Sequence, residues 1–483
     1  MPELHQLLYF TNIISIFFGL WYEGIRMCQF PNVISILFVS SILELYRKYF
    51  LLKIINVILF SISLIGFFMF GDYQFERYPK GFDPYRVGFK KIKSDKNGNT
   101  VGVFYPIDIA YYEKHKNDKK FYKLDRSVYS ELMKGFSNLF QLGQKETKEI
   151  SSLVMRPMMN HTLDIIENAP LAAPFLNREK ELIPIVFSHS LGGYHMSQTM
   201  TMMDYAKHGY IVFGPDHQDG SCLMTFDKDG KVILFDNKHK IAEKPIRVQQ
   251  LNRRVEEIIT FMDELLQQNI VEKKLGFLDI KFATDKLIIS GMSFGGITAL
   301  KVAQKDMRPR AVLVFDPWLF PCFEEIYGGG VKIFQPIQVI FTEYFPKFTH
   351  PLDIFGCMKK LLDDSMNLKN EVLILKTGYH TDIVDYVLFQ NLEFTLIEKR
   401  ELYFDRHDIY FTANQLALHY LAKLDNATSH SAIEILKQLD FRFKKYVKYD
   451  LEYDPSKPLD QNQKDIDEQE AKIIKPHVIY PKQ

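Results

Sequence analysis

Three nearly uncharged stretches open the chain. Leu7 to Trp21 and Phe30 to Leu43 carry almost no charge, and Phe50 to Phe70 carries only Lys53. A helix needs about 20 apolar residues to cross a bilayer. The third run meets that length, and the first two suit short spans or a re-entrant hairpin. After residue 80 the pattern changes. Short apolar runs of strand length stand at Asn99–Tyr105, Pro184–Phe187, Tyr210–Gly214, Leu287–Ile289, Ala311–Phe315 and Val372–Leu375. Between two of them Leu251, Val255, Ile258, Ile259, Met262 and Leu265 recur at i, i+3, i+4 and i+7, a helix stripe that packs on a sheet. Strands alternating with helices predict an α/β fold, a mostly parallel central sheet with helices on both faces.

Smaller signals fill in the organisation. Lys96-Asn97-Gly98 reads as a turn before the first strand. Thr225 to Lys244, with Asp229-Gly230 between apolar residues, reads as an inserted hairpin. Residues 112–170 are polar to mixed and are expected to carry helices that cover the sheet, as are Thr412 to Leu424 and Ser431 to Phe441. Gly328-Gly329-Gly330 reads as a flexible loop, and Asp450 to Gln483, rich in charge and proline, as a solvated tail. The expected divisions are a hydrophobic membrane-anchor region over 1–72 with two or three transmembrane helices, a catalytic domain over 73–447 and a polar tail over 448–483.

Chemistry concentrates at Gly291-Met292-Ser293-Phe294-Gly295, between an apolar run and the helix-like Ile297 to Ala303. G-x-S-x-G between strand and helix is the nucleophile elbow of an α/β-hydrolase. The turn is sharp, so Gly291 and Gly295 leave room where a Cβ would collide with the neighbouring strand and helix. Ser293 then projects at a helix N-terminus, where free N–H groups favour negative charge. A serine needs a base and the base an orienter, in the order Ser, Asp, His. Asp316 ends the run Ala311–Phe315, and His380 lies in the loop just past Val372–Leu375. One oxyanion donor is expected at the Phe294 N–H. The other is expected at Leu191, in Ser188-His189-Ser190-Leu191-Gly192-Gly193, after the strand 184–187. His217 precedes the serine and breaks the fold's order, so it is expected in a structural hydrogen bond.

These residues resemble the platelet-activating-factor acetylhydrolases of the plasma and intracellular type II kind, the group VII phospholipases A2. The matching pieces, in order, are Asp83 to Gly88, Val186 to Gly192, Asp216 to Ser221, Gly291 to Gly296, Phe315-Asp316-Pro317-Trp318-Leu319-Phe320-Pro321, Thr342 to Phe345, and Gly378-Tyr379-His380. Asp-Pro-Trp-Leu-Phe-Pro is the most specific of them. Met292 stands where the family often carries a polar residue, usually histidine, and Ser190 and Gly193 also depart from its pattern. The resemblance implies calcium-independent removal of a short or oxidised sn-2 acyl group from a phospholipid, with Ser293, Asp316 and His380 as triad and Leu191 and Phe294 as oxyanion donors. Trp318, Leu319 and Phe320 are candidate acyl contacts, with core packing as their alternative. No cofactor or metal is implied.

Net charge is +1, with 60 basic and 59 acidic residues, which argues against a nucleic-acid partner. Hydrophobic residues make up 47% and aromatic residues 14%, with 40 Phe and 26 Tyr, which is high for a purely soluble protein and agrees with the apolar runs at the N-terminus. The four cysteines, Cys28, Cys222, Cys322 and Cys357, are too scattered for a disulfide framework, which points to reduced surroundings. Asp227, Asp229 and Asp236 lack the spacing of a calcium loop. Asn160-His161-Thr162 and Asn426-Ala427-Thr428 match the glycosylation sequon without fixing orientation. The N-terminus carries no Lys or Arg in its first residues and no small-x-small cleavage site before residue 71, so an uncleaved anchor is expected over a cleaved signal or a buried apolar region of a soluble protein. Three spans would place Arg77, Lys80, Arg86, Lys90 and Lys91, and with them the catalytic domain, in the cytosol. Phospholipid and membrane are the expected partners, and oligomeric state is open. Another membrane-bound serine esterase or acyltransferase on the same fold, or a catalytically silent scaffold, remain as alternatives.

Overall fold

The computed structural model describes residues 83–121, 129–139, 162–267, 270–345, 353–365, 367, 369–376, 378–385, 406–424 and 447–452, and the helical positions Ile54, Ile58 and Ser61. Its contacts divide the chain into two compact units. One comprises Met1–Pro79, Lys120–Leu163 and Asp385–His407, and the other Lys80–Lys119, Asp164–Val384 and Asp408–Gln483.

Among the described residues the chain forms thirteen strands. They are β1 (Arg86–Lys93), β2 (Thr100–Ile107), β3 (Lys119–Phe121), β4 (Thr162–Glu167), β5 (Ile183–Ser188), β6 (Tyr210–Pro215), β7 (Met224–Phe226), β8 (Val232–Leu234), β9 (Ile288–Met292), β10 (Ala311–Phe315), β11 (Ile337–Thr342), β12 (Glu371–Leu375) and β13 (Val447–Glu452). Eleven form one sheet in the order β13-β12-β11-β10-β9-β5-β6-β2-β1-β4-β3. Pairs from β6 through β12 are parallel, as is β1 with β4. The pairs β1–β2, β2–β6 and β12–β13 are antiparallel. The expected α/β architecture with a mostly parallel sheet is therefore present. Every residue of β2, β6, β9, β10, β11 and β12 is buried. A strand buried throughout is covered on both faces, which is why these runs read as continuous apolar stretches rather than alternating ones.

Five helices matter for the site: α1 (Thr199–Lys207), α2 (Lys244–Leu266), α3 (Phe294–Lys305), α4 (Ile354–Ser365) and α5 (Arg406–Leu424). Helix α1 packs on β1, β2 and β6, α3 packs on β5, β9 and β10, and α2 packs against α3. The stripe expected of α2 is buried at Leu251, Val255, Ile258, Met262 and Leu265. The hairpin expected within 225–244 is present as β7–β8, which closes at Asp227–Lys231 with Gly230 at φ +82°.

Two expectations need correction. Residues 112–170 hold helices at Ile109–His115 and Tyr129–Leu139, but also strands β3 and β4, the second of which pairs with β1 through Ile165 and Ile166. The polar run read as tail from residue 448 begins instead as β13, whose backbone finds partners on the edge of β12 from Glu371 to Leu375. An unpaired sheet edge recruits strands by backbone bonds whatever their side-chain charge.

In the smaller unit, the helix Tyr129–Leu139 buries Leu132, Met133 and Phe136 on one side. Ile54 and Ile58 are one helical turn apart and exposed. Among the described residues no helix is long and apolar enough to cross a membrane. The expected spans at 7–21, 30–43 and most of 50–70 lie outside the described residues. So do the tail beyond 452, the expected helix at 431–441, and Asn160 and Asn426.

Candidate active site

β9 runs into α3 through Ser293, whose backbone is held at φ 56° and ψ −115°. Side chains other than glycine pay strain for that conformation, and the surroundings impose it. The Ser293 N–H donates to the Phe315 carbonyl (2.9 Å), and the Ser293 carbonyl accepts from Trp318 (2.9 Å). The flanking glycines are sterically required. A Cβ on Gly291 would lie 2.3 Å from the Gly295 carbonyl oxygen, and one on Gly295 would lie 1.9 Å from that of Ser188. Gly291 and Gly295 thus provide the clearance that the turn requires.

Three side chains converge there from three strand ends. His380 Nε2 lies 3.0 Å from Ser293 Oγ, and His380 Nδ1 lies 3.0 Å from Asp316 Oδ2. Asp316, at φ 41°, is fully buried. Its carboxylate also accepts the Thr342 N–H at Oδ1 and the Thr342 hydroxyl at Oδ2, both at 2.6 Å. The His380 ring stacks on Phe345 (4.5 Å between centroids), and its side chain remains 23% exposed. This is the connectivity of a nucleophile, a base and an orienting acid.

The loop after β5 passes beside the elbow. Its Gly192 N–H donates to the Ser221 carbonyl (2.8 Å), and its Gly193 N–H to the Ser190 carbonyl (3.0 Å). The first of these donors is spent on a neighbouring segment and the second within the loop. Phe294 opens α3, and helices leave the N–H groups of their first turn without an intrahelical partner.

A second polar cluster lies buried behind that loop. His217 Nε2 lies 2.9 Å from Ser188 Oγ, and its Nδ1 lies 2.9 Å from Glu257 Oε2, all three side chains enclosed. Burial pushes the His217 pKa well below the usual histidine range, helped by the Arg254 charge. Burial raises Glu257 to about 7, against the opposing pull of Arg253. His217 thus has the structural hydrogen-bond role expected of it. His189, Asp216 and Cys222 cluster closely enough to face one ion. Their atoms are already engaged: His189 Nε2 with the His217 N–H, Asp216 with His195, and Cys222 with the Met224 carbonyl. Arg254 adds a cation beside them, so this set does not suit a metal.

Comparison with known proteins places the chain in a family. The family described as "Platelet-activating factor acetylhydrolase, isoform II" matches residues 70–456. The chain belongs to that family. A platelet-activating factor acetylhydrolase of Bos taurus is 29% identical over 42% of this chain and 48% of its own length. Those of Cavia porcellus and Canis lupus familiaris are 27% and 25% identical, each over 64% of this chain and over 69% and 68% of their lengths. The chain thus spans about half to two thirds of these acetylhydrolases. Among solved structures, a ferulic acid esterase from Streptomyces cinnamoneus superposes with TM-score 0.50 at 11% identity, covering 74% of this chain and 97% of the esterase, a likeness of fold.

Of the candidate acyl contacts, Leu319 is fully buried in the hydrophobic core. Its core-packing alternative holds. Trp318 and Phe320 are partly exposed and stack on each other (5.2 Å), and Trp318 meets Phe294 edge-on. Two positions that depart from the acetylhydrolase pattern share one neighbour. Gln198 Nε2 lies 3.3 Å from Ser190 Oγ and 3.5 Å from Met292 Sδ. Thr342, Phe345 and Arg254 had no functional reading in the sequence. Arg254 left a signal, since it occupies the i+3 position of the apolar stripe that starts at Leu251.

Proposed function

We propose that this chain is a calcium-independent serine esterase that removes a short or oxidised sn-2 acyl group from phospholipids of the platelet-activating-factor type. The observation that carries the reading is the Ser293–His380–Asp316 chain of hydrogen bonds at a strained, glycine-flanked elbow. Family membership supports the substrate class.

In this mechanism His380 Nε2 takes the Ser293 proton as Oγ attacks the sn-2 ester carbonyl. The Leu191 and Phe294 N–H groups bind the resulting oxyanion. Collapse expels lyso-phospholipid, which leaves with the proton from His380, and the acyl group stays on Ser293. Water then attacks this ester with His380 as base, and short acid is released. Asp316 accepts Nδ1–H throughout and fixes the imidazole tautomer, while Thr342 holds its carboxylate. Each charge that develops has a protein group to meet it, so no Lewis acid is required by the scheme. Trp318 and Phe320 are the proposed apolar contacts of the acyl chain or of the lipid surface.

The three apolar runs before residue 73 are proposed as a membrane anchor that keeps the domain beside its substrate on the cytosolic side. Exposure of Ile54 and Ile58 on one side of a helix supports a lipid-facing surface there. Protease protection of the full chain in sealed membranes tests the sidedness.

Product release from short-sn-2 and long-sn-2 phospholipids, assayed with chelator present, tests the function. Release from the short chain alone, unaffected by chelator, is expected. Turnover of neutral esters with none of phospholipid would favour another esterase on this fold, and transfer of the acyl group to an alcohol would favour an acyltransferase.

A further inference from the structure

Arg254 is a fully buried cation on α2 that takes no part in the mechanism above. Burial lowers its pKa, and the nearby Asp219 carboxylate opposes that shift. Its guanidinium donates to the His189 carbonyl (2.7 Å), to Ser221 Oγ from two nitrogens (2.8 and 2.6 Å) and to Asp219 Oδ2 (3.3 Å). A longer contact of 3.5 Å reaches the Ser190 carbonyl. The same group lies 4.4 Å over the Phe294 ring. A buried charge is costly unless its donors are satisfied, and these donors tie the turn that precedes Leu191, through the His189 and Ser190 carbonyls, to the segment carrying Asp219 and Ser221.

The Ser190 carbonyl and the Leu191 N–H belong to one peptide plane and point in opposite directions. Whatever fixes that carbonyl therefore aims that N–H. Three donors fix it: the Gly193 N–H at 3.0 Å, His189 Nδ1 at 2.8 Å and Arg254. His189 is held in the matching tautomer, because its Nε2 accepts the His217 N–H. The second proposed donor, Phe294, carries the ring against which the guanidinium packs.

We infer that Arg254 is a positioning residue for the oxyanion hole: it aims the Leu191 N–H by clamping the His189 and Ser190 carbonyls, and it seats Phe294 by packing on its ring. The inference rests on the proposed esterase reading. It acts on the transition state, because the donors it aligns serve the oxyanion and not the ground-state carbonyl.

The test compares wild type, Arg254→Lys and Arg254→Met in the full chain, each checked for a cooperative thermal transition. The readouts are kcat and KM for a short-sn-2 phospholipid, and inhibition by a trifluoromethyl ketone, whose hydrate-like adduct with serine carries the oxyanion. Arg254→Met is expected to lower kcat about 10- to 100-fold with KM within about threefold, somewhat below the loss of a whole oxyanion donor. Ketone affinity should fall in parallel with kcat/KM, and the apparent pKa of kcat/KM should stay unmoved. Arg254→Lys should recover part of kcat, since one ammonium can still reach a carbonyl. If Arg254→Met does not fold, Ser221→Ala, which removes two of the guanidinium bonds and leaves the loop sequence intact, carries the same test at smaller amplitude. A folded variant with unchanged kcat and ketone affinity overturns the positioning role alone. A wild type with no ester turnover overturns the esterase reading and this inference with it.

Discussion

Two Ser–His–carboxylate chains lie in one domain, and their bond lengths hardly differ. Ser293–His380–Asp316 joins at 3.0 and 3.0 Å, and Ser188–His217–Glu257 at 2.9 and 2.9 Å. Their surroundings differ in every respect that matters for catalysis. Ser293 stands on a strained turn at a helix N-terminus with a partly exposed base. Ser188 ends a buried strand, and His217 is sealed in and kept neutral by burial. Hydrogen-bond geometry alone does not make an active site. Access matters as well, and the base of the first chain is partly exposed whereas that of the second is enclosed.

The sharpest way to break this comparison is to remove each serine. Ser293→Ala should lower kcat by about a million-fold, as removal of a nucleophile does. Ser188→Ala should keep turnover within about threefold and cost about 1–3 kcal/mol of stability, because buried His217 loses a partner. Chemical denaturation and steady-state kinetics on both variants check the pair. Next in size, Asp316→Asn should lower kcat about 10⁴-fold by favouring the wrong His380 tautomer, with stability changed far less than activity. Thr342→Val removes one of the two bonds from Thr342 to the Asp316 carboxylate. A bond to a charged group is worth about 1.5–3 kcal/mol, so a 10- to 100-fold loss in kcat/KM is expected, with KM nearly constant.

The smallest effect concerns pH and the buried chain. Glu257 rises from its ordinary 4.5 to about 7 on folding. The folded state then holds a proton that the unfolded state releases between those values. Stability from this group is full below about 4.5 and is lost as pH rises through about 7. His189 and His217 act oppositely, since their lowered pKa values cost stability as pH falls below about 6.5. Glu257→Gln should therefore flatten the decline of thermal midpoint between pH 5 and 8 while leaving the acid limb in place. Scanning calorimetry of both proteins across that range checks it.

Much of this was legible in the chain. The elbow, the strands that deliver Asp316 and His380, and the stripe of α2 all follow from local rules of period, turn chemistry and chain order. What escaped was set by distance in sequence. Thr342 meets Asp316 because β10 and β11 are neighbours in register, which no local pattern encodes. Arg254 and Glu257 sit among the apolar residues of a helix stripe, a mismatch that signals buried polarity without naming its partners. Strands β4 and β13 were missed because their sequences are mixed and their backbone bonds come from sheet edges. Leu319 adjoins Trp318 and Phe320 in sequence, yet it is buried in the core while they are partly exposed.

Covalent labelling tests the central claim most directly. The full chain, solubilised in detergent, is treated with a fluorophosphonate and analysed by intact mass and peptide mapping, beside Ser293→Ala. One adduct on the peptide carrying Ser293, absent from the alanine variant, is the predicted result. An adduct on Ser188, an adduct that survives Ser293→Ala, or no adduct on folded wild type would contradict it.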